Sequence, residues 1–248
     1  MKILLTATVT PQTTRILHVR DPQVRRQQYI ESLRRWVRLA EQHVATVVFY
    51  ENSGEDLDQL ARDAFREQPG NLDLRSADAP DEDMVDRGKG AMEAAMMDDF
   101  AATYSDRAPQ DEVWVKCTGR LFVTNLDRCL PAPVPTCALM ARLSLDLAHM
   151  DTRFFAATAG AWQAYLTGAG PGVDMKRGVF IEHVLAKRVL GGIADGASLV
   201  RLRAQPAFLG RSGSYADRQY DSLQSRVKRL GTNALERALR GPLHTKHF

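Results

Sequence analysis

The segment KILLTATV, residues 2–9, is an apolar run near the start of the 248-residue chain. It is far shorter than the ~20 residues that span a bilayer, and no small-residue cleavage site follows it before Arg15. We therefore expect a buried β-strand rather than a signal peptide. A second run, ATVVFY at residues 45–50, lacks polar alternation, which is typical of a strand covered on both faces of a parallel sheet.

The sequence between these two runs predicts a helix. Asp21 is a favourable N-cap, Pro22 suits the first helical position, and apolar residues from Val24 to Ala40 follow at near-helical spacing. Helices and strands continue to alternate downstream: we expect a helix that begins at Ser53, a strand over 71–77, an acidic irregular segment over 79–90, a helix over about 91–104 and a strand from Val113 to Arg120. This order predicts an α/β fold whose mostly parallel sheet is flanked by helices.

The second half of the chain is less regular. A proline-rich connection over 131–135, a strand over 152–158, a helix over 179–190 and a basic helical region over 215–239 are predicted there. We expect an α/β domain over residues 1–215 and a basic helical C-terminal segment over 216–248.

Charge is distributed unevenly along the chain. The total is 33 − 30 = +3, but residues 201–248 hold ten Lys and Arg against three acids, or +7, which leaves 23 − 27 = −4 for residues 1–200. A basic tail of this kind suits an anionic membrane surface, a phosphate-bearing substrate or nucleic acid, and a solvated helix with a basic face is the simpler alternative. The 44% hydrophobic and 25% charged composition excludes a disordered chain, collagen and a coiled-coil rod.

Several common site types are disfavoured. The three cysteines are odd in number and form no Cys-x-x-Cys pair, which argues against a disulfide framework or a zinc knuckle and favours the cytoplasm. The chain has no Gly-x-Gly-x-x-Gly after the first strand, no P-loop and no Gly-x-Ser-x-Gly elbow. Dinucleotide-binding, P-loop and α/β-hydrolase functions are therefore disfavoured.

Polar residues follow the predicted strands, where the carboxyl ends of a parallel sheet bind ligands. Thr8 follows the first strand, and Glu51 with Asn52 follows the second, where they could accept hydrogen bonds from a base or ribose or could simply cap a helix. Lys89 lies between two glycines before a helix and suits a phosphate, although a plain loop explains the same pattern. The motif Lys116-x-Thr118-Gly-Arg120 adds two cations and a hydroxyl of the kind that a buried diphosphate needs.

These motifs, in this order, resemble those of bacterial surface-polysaccharide glycosyltransferases with the GT-A fold, a Rossmann-like arrangement. The resemblance covers about residues 1–220 and rests on ENSG at 51–54, GKG at 88–90 with Glu93, Lys116-x-Thr-Gly-Arg120, Asp151-x-Arg153, Glu182-His183 and Ser212-Gly-Ser214. It implies transfer of a sugar from a nucleotide-sugar donor to a hydroxyl of a glycan or lipid-linked acceptor, in the synthesis of cell-surface polysaccharide.

The chain departs from that family at the metal site. GT-A enzymes usually carry an Asp-x-Asp motif after the fourth strand, whereas this chain has Lys116-Cys-Thr118 there. If the resemblance holds, Lys116 and Arg120, helped by Lys89, would neutralise the leaving nucleotide, so we expect no required metal or other cofactor. Asp151 with Arg153 is a displaced candidate position for a divalent metal, which is the alternative.

The resemblance also suggests a catalytic base and an acceptor side. Glu182 matches the acidic residue near the start of a late helix that serves as the base of inverting enzymes, and Asp151 is the second candidate. An acid that complements a helix dipole is the simpler reading of Glu182. Arg153, His183, Ser212 and Ser214 are assigned to the acceptor side and its loop, with His183 as a supporting or core residue.

Two other functions compete with this interpretation. A metal-dependent nucleotidyltransferase would use the same cations on a triphosphate, and a non-catalytic module would bind nucleic acid or another partner through the basic tail. We favour the glycosyltransferase, with no nucleic-acid partner, in the cytoplasm and in peripheral contact with the inner face of an anionic membrane.

Overall fold

The computed structural model describes residues 1–11, 19–211 and 231. Its strands are β1 (Lys2–Ala7), β2 (Thr46–Glu51), β3 (Leu72–Ser76), β4 (Val113–Thr118), β5 (Phe122–Val123), β6 (Ala138–Met140), β7 (Phe154–Thr158), β8 (Ser198–Val200) and β9 (Phe208–Leu209). Its helices are α1 (Pro22–Gln42), α2 (Leu57–Ala64), α3 (Glu82–Arg87), α4 (Lys89–Tyr104), α5 (Leu126–Cys129), α6 (Ala159–Tyr165) and α7 (Ile181–Ala194).

Seven strands form one sheet in the order β3-β2-β1-β4-β7-β6-β8. The pairs of β1 with β2, β1 with β4 and β2 with β3 are parallel, whereas β7 is antiparallel to both of its neighbours. Strands β5 and β9 form a separate antiparallel pair. The predicted α/β fold with a mostly parallel sheet is therefore confirmed, and the order of the strands reverses between β1 and β4.

Alternating residues of β1 pack into two cores on opposite faces of the sheet, as the two-residue period of a strand requires. Ile3 and Leu5 face α1 and α2, whereas Leu4 faces α4, α6 and α7. On the α4 face, Trp114 packs edge-on against Phe100 and Trp162, with ring centroids 4.9 and 5.9 Å away. The three tryptophans, Trp36, Trp114 and Trp162, are core residues.

Helix α1 begins as predicted, with the Asp21 carboxylate accepting a hydrogen bond from the main-chain nitrogen of Gln23 at 2.8 Å. Its buried face differs from the prediction at one position. Val24 is 47% exposed, because Arg25 and Tyr29 occupy the inward stripe of the first two turns. A charged residue in the buried stripe of a helix is uncommon and calls for a partner.

Two helix starts also differ from the predictions. Helix α2 is capped by Asp56 rather than by Ser53, because the Ser53 hydroxyl already bonds Glu51 and the main-chain nitrogen of Thr10. The segment 79–90, predicted to be irregular, contains α3, whose N-cap Asp81 accepts from the main-chain nitrogen of Met84 at 2.7 Å. The first correction concerns which of several neighbouring side chains supplies the cap, and the second concerns a short helix whose N-cap was not recognised.

Most of the predicted basic helical region, and with it the boundary between the 1–215 and 216–248 segments, lies outside the described residues. Among the helices that are described, none has the length and apolar character needed to cross a bilayer.

Candidate active site

Six of the predicted site residues lie at the carboxyl ends of β1, β2 and β4: Thr8, Glu51, Asn52, Lys116, Thr118 and Arg120. Because β7 is antiparallel to β4, the residues that precede β7 reach the same rim: the main-chain nitrogen of Thr118 donates to the carbonyl oxygen of Arg153 at 3.0 Å. On the other side of Thr118, the nitrogen of Gly119 donates to the carbonyl oxygen of Thr6 at 2.9 Å. The rim therefore joins three stretches of chain that are distant in sequence.

Glu51 holds two loops of this rim together. Its buried carboxylate accepts hydrogen bonds from the main-chain nitrogens of Val9 at 2.9 Å, Ser53 at 2.8 Å and Glu55 at 3.1 Å, and from the Ser53 hydroxyl. These main-chain bonds occupy both carboxylate oxygens. The contact of Glu51 with a nucleoside stays a prediction, and the structure gives the carboxylate a role in positioning the loops.

Asn52 and Thr8 form a direct contact between the loops that follow β2 and β1. The Thr8 hydroxyl donates to Asn52 Oδ1 at 2.7 Å, and Asn52 is buried. Asn52, predicted to lie near the nucleoside, and Thr8, predicted to lie on the donor side, are thus neighbours in the structure.

Helix α1 holds the loop after β1 through Arg25 and Tyr29. Arg25 Nε donates to the carbonyl oxygens of Thr8 and Val9, each at 3.0 Å, and Nη1 donates to that of Val19 at 3.3 Å. The Tyr29 hydroxyl accepts from the nitrogen of Thr8 at 3.0 Å. The buried guanidinium of Arg25 is thereby satisfied by neutral carbonyl oxygens rather than by a carboxylate.

Arg120 lies beside the same tyrosine. Its guanidinium carbon is 5.9 Å from the centre of the Tyr29 ring, and that of Arg25 is 5.8 Å from it. Arg120 is only 8% exposed; Nη1 donates to Gln28 Oε1 at 3.2 Å, while Nε is buried and makes no hydrogen bond. Burial lowers the pKa of Arg25 from its ordinary value; Tyr29 opposes that shift, and the positive charge of Arg120 adds to it.

A buried ion pair occupies the α4 face of the rim. The Lys116 ammonium, which is fully buried, pairs with the Glu93 carboxylate and donates to the carbonyl oxygen of Thr152 at 2.6 Å. The Thr6 hydroxyl donates to Glu93 at 3.0 Å. Burial acts to raise the pKa of Glu93, but Lys116 and Thr6 outweigh it, so the pKa lies below its ordinary value. Lys116 thus points into the protein, and its contact with a phosphate stays a prediction.

Glu182 lies next to this ion pair. It occupies the first turn of α7, is half-buried, and its Oε1 is 3.5 Å from the Thr152 hydroxyl, the long limit of a hydrogen bond. Thr152 therefore contacts Lys116 through its carbonyl oxygen and Glu182 through its side chain. His183 supports the helix start: its Nδ1 accepts from the nitrogen of Phe180 at 3.0 Å, and its ring centroid is 4.2 Å from that of His149.

Asp151 and Arg153 pair with each other. Arg153 Nε and Nη2 donate to the two oxygens of Asp151 at 2.8 and 2.6 Å, and the guanidinium carbon lies 4.9 Å from the ring centre of Phe208. Within residues 1–11 and 19–211, no three His, Cys, Asp or Glu side chains are grouped as metal ligands. The described partner of the Asp151 carboxylate is a guanidinium, and its catalytic role stays a prediction.

The remaining predicted residues lie at the margins of this arrangement. Lys89 is the first residue of α4, directly after Gly88, whose φ is +97°, and its charge helps to lower the pKa of Glu93. Ser212 and Ser214 lie outside the described residues.

Sequence reasoning missed Arg25, Tyr29 and Thr152 as residues of this rim. Arg25 and Tyr29 could have been found, because they are four residues apart and fall on the apolar stripe of α1. A cation at a position that the helical period assigns to the core needs an explanation. Thr152 offers no such signal, since its contact with Lys116 comes from a carbonyl oxygen that any residue would supply.

No protein family and no curated protein matches this sequence. Solved structures similar to it include a candidate nucleotide-diphospho-sugar transferase from Desulfovibrio desulfuricans G20, with 8% identity, a TM-score of 0.46 and coverage of 81% of this chain and 78% of that one. The galactosyltransferase LgtC, solved with donor and acceptor sugar analogs, has 12% identity to this chain and a TM-score of 0.43. The match covers 81% of this chain and 73% of that one. Mouse xyloside xylosyltransferase 1 has 11% identity and a TM-score of 0.40, with coverage of 82% of this chain and 85% of that one.

Proposed function

We propose that this protein is a glycosyltransferase that moves a sugar from a nucleotide-sugar donor to a hydroxyl of an acceptor. One observation carries the proposal: a buried cation, Arg120, and a half-buried carboxylate, Glu182, belong to adjoining segments of one rim at the reversal of strand order. Ligands of open α/β sheets bind at this place. Glycosyl transfer needs both a positive group for the leaving diphosphate and a base for the acceptor.

Glu182 is the proposed base. The acceptor oxygen forms a bond to the anomeric carbon as the bond from that carbon to the donor phosphate oxygen breaks, and the proton of the acceptor hydroxyl passes to the Glu182 carboxylate. The electron pair of the broken bond leaves with the nucleoside diphosphate. If Glu182 acts directly as this base, the anomeric carbon is inverted; proton NMR of the product distinguishes inversion from retention.

The donor side is assigned to the loops after β1, β2 and β4. Thr8, Glu51 and Asn52 shape the nucleoside end, and Lys89, Thr118 and Arg120 face the phosphates. Lys116 is proposed as a positioning residue, since its ammonium is committed to Glu93 and to the carbonyl oxygen of Thr152. Through these contacts it fixes the segment that carries Thr152 next to Glu182.

Metal independence is part of the proposal. The position that usually carries metal-binding aspartates holds Lys116-Cys-Thr118, and Asp151 is paired with Arg153. Arg120 and Lys89 would supply the positive charge that the leaving group requires. The acceptor is proposed to be a glycan or a lipid-linked hydroxyl, with Arg153 and His183 on its side of the rim. A role in cell-surface polysaccharide synthesis, in the cytoplasm at the membrane surface, is proposed from the family resemblance and the basic residues 201–248.

A thermal-shift panel tests the function. UDP, GDP, CMP and dTDP are each added with EDTA or with manganese, and donor turnover is then measured with the corresponding nucleotide-sugars. We expect one nucleotide to raise the melting temperature in EDTA, because ligands that bind only the native state stabilise it. Activity abolished by the chelator would favour the nucleotidyltransferase. No shift with any nucleotide, together with salt-sensitive binding to duplex DNA, would favour the non-catalytic module.

A further inference from the structure

We infer that Arg25, Tyr29 and Arg120 form a metal-free binding site for a diphosphate group on the α1 face of the rim. The identity of this group as the diphosphate of a nucleotide-sugar rests on the proposed function; the presence of an anion site does not. We call these three residues the arginine–tyrosine stack.

The described residues do not neutralise the positive charge of the arginine–tyrosine stack. Two guanidiniums approach one tyrosine ring, at 5.8 and 5.9 Å, and both are more than nine-tenths buried. Within residues 1–11 and 19–211, neither has a carboxylate at ion-pair distance. Glu51 is the one acid whose charge acts on Arg25 noticeably, and main-chain nitrogens occupy its oxygens. Buried cations at this density are stabilised by an anion.

Arg120 has a hydrogen-bond donor that the described chain leaves without an acceptor. Arg120 Nε is buried without a hydrogen-bond partner, and the bond from Nη1 to Gln28 is the one hydrogen bond that its guanidinium makes to the described chain. A guanidinium presents its N–H groups as a planar fork that matches two oxygens of a phosphate. The carbonyl oxygens that satisfy Arg25 leave its full charge in place.

The backbone of the turn after β4 holds Arg120 in position. A Cβ atom at Gly119 would lie 2.8 Å from the carbonyl oxygen of Thr6 and 3.2 Å from the Tyr29 ring, so the turn after β4 approaches β1 as closely as a glycine permits. This approach brings Arg120 over the tyrosine. A site fixed by close backbone contact before the ligand arrives needs little reorganisation to bind it.

The position of the arginine–tyrosine stack in the fold favours a diphosphate as its ligand. It lies at the carboxyl ends of β1 and β4, where the strand order reverses, and Arg25 contacts the carbonyl oxygen of Thr8, whose side chain contacts Asn52. A diphosphate bound by Arg120 would therefore have the predicted nucleoside residues beside it. A diphosphate carries enough negative charge to match both guanidiniums.

Binding of inorganic pyrophosphate in EDTA tests the inference, with orthophosphate and UDP as further probes. We compare the wild type with Arg120→Gln, which removes the charge, Arg120→Lys, which keeps it, and Arg62→Gln, a matched loss of charge on the exposed face of α2. By calorimetry we expect Arg120→Gln to weaken pyrophosphate binding about 10- to 100-fold, Arg120→Lys to weaken it less, and Arg62→Gln to leave it unchanged. Equal affinity in Arg120→Gln and the wild type, or no binding by the wild type at millimolar pyrophosphate, would overturn the site.

Hydrogen exchange of the wild type locates the anion without any substitution. We expect pyrophosphate to protect the amides of residues 6–11 and 118–121, and protection confined to other segments would overturn the inference even if Arg120→Gln failed to fold. Arg120-dependent pyrophosphate binding without turnover of any nucleotide-sugar would support the site and remove the proposed function. Sugar transfer with an unchanged donor KM in Arg120→Gln would support the function and remove the site.

Discussion

The Glu182 side chain is half-buried, and its carboxylate makes a single weak hydrogen bond to the described residues, the 3.5 Å contact with Thr152. A carboxylate of this kind is available to accept a proton. We expect Glu182→Gln to lower the turnover of sugar transfer on the order of 10²- to 10⁴-fold, the range of general-base catalysis, without weakening donor binding. Glu41→Gln, on an exposed turn of α1, is the matched control for the loss of a carboxylate. Turnover within threefold of the wild type would assign the base to another residue.

The ion pair between Lys116 and Glu93 makes the free energy of unfolding depend on pH. The pKa of Glu93 lies below its ordinary value of 4.5, so its stabilising effect is fully present above about pH 4.5 and is lost as pH falls through the lowered value. Lys116→Met leaves Glu93 as an uncompensated carboxylate, and we expect a loss of about 3–5 kcal/mol in the free energy of unfolding at neutral pH.

The same variant has a second signature. Without the ammonium, burial raises the pKa of Glu93, so protonation of this carboxylate stabilises the variant. The stability difference from the wild type should narrow as pH falls from the raised pKa of the variant, above 4.5, to the lowered pKa of the wild type. Urea unfolding at pH 7, 5 and 4 measures this difference. A gap that stays constant across these pH values would contradict the pairing.

The turn after β4 is the element on which the geometry of the site depends most. Because a Cβ at Gly119 would meet the carbonyl oxygen of Thr6 at 2.8 Å, we expect Gly119→Ala to destabilise the fold by about 1–3 kcal/mol and to weaken donor binding. Gly191→Ala is the control: it lies in α7 with open space around it, and we expect no destabilisation and up to about 1 kcal/mol of gain. Denaturant unfolding measures the free energy of unfolding of both variants. Equal values would show that the turn can accommodate a Cβ atom at position 119.

Elements with strong local signals were predicted to within one or two residues. Strand β1 was expected over residues 2–9 and covers Lys2–Ala7, and α1 begins at the predicted proline, because buried apolar runs and N-caps act over a few residues. The segment 152–158 was correctly expected to contain a strand, but its antiparallel pairing with β4 could not be predicted, since pairing of short strands is decided by distant partners. The partners of Lys116 and Arg25 were missed for the same reason: a residue type predicts a charge, and only the fold says what neutralises it.

The net positive charge of the whole molecule lies at one end of the sequence, with +7 on residues 201–248 against −4 on residues 1–200. We expect the full chain to sediment with vesicles that contain about 30% phosphatidylserine at low salt and to dissociate near 0.5 M salt, because exposed charges are screened over a few ångströms there. Neutral phosphatidylcholine vesicles are the control. Equal binding to both kinds of vesicle, or binding that salt does not change, would contradict an electrostatic contact.

The reversed direction of β7 makes the rim a junction of outgoing and incoming chain. The segment after β4 leaves the sheet at the same place where the segment between β6 and β7 arrives. Residues 145–149 are exposed, and we expect them to lengthen or change without disturbing the carbonyl oxygens of Thr152 and Arg153, which bond Lys116 and Thr118. Related chains would then keep the proposed donor side of the rim constant while the proposed acceptor side diversifies.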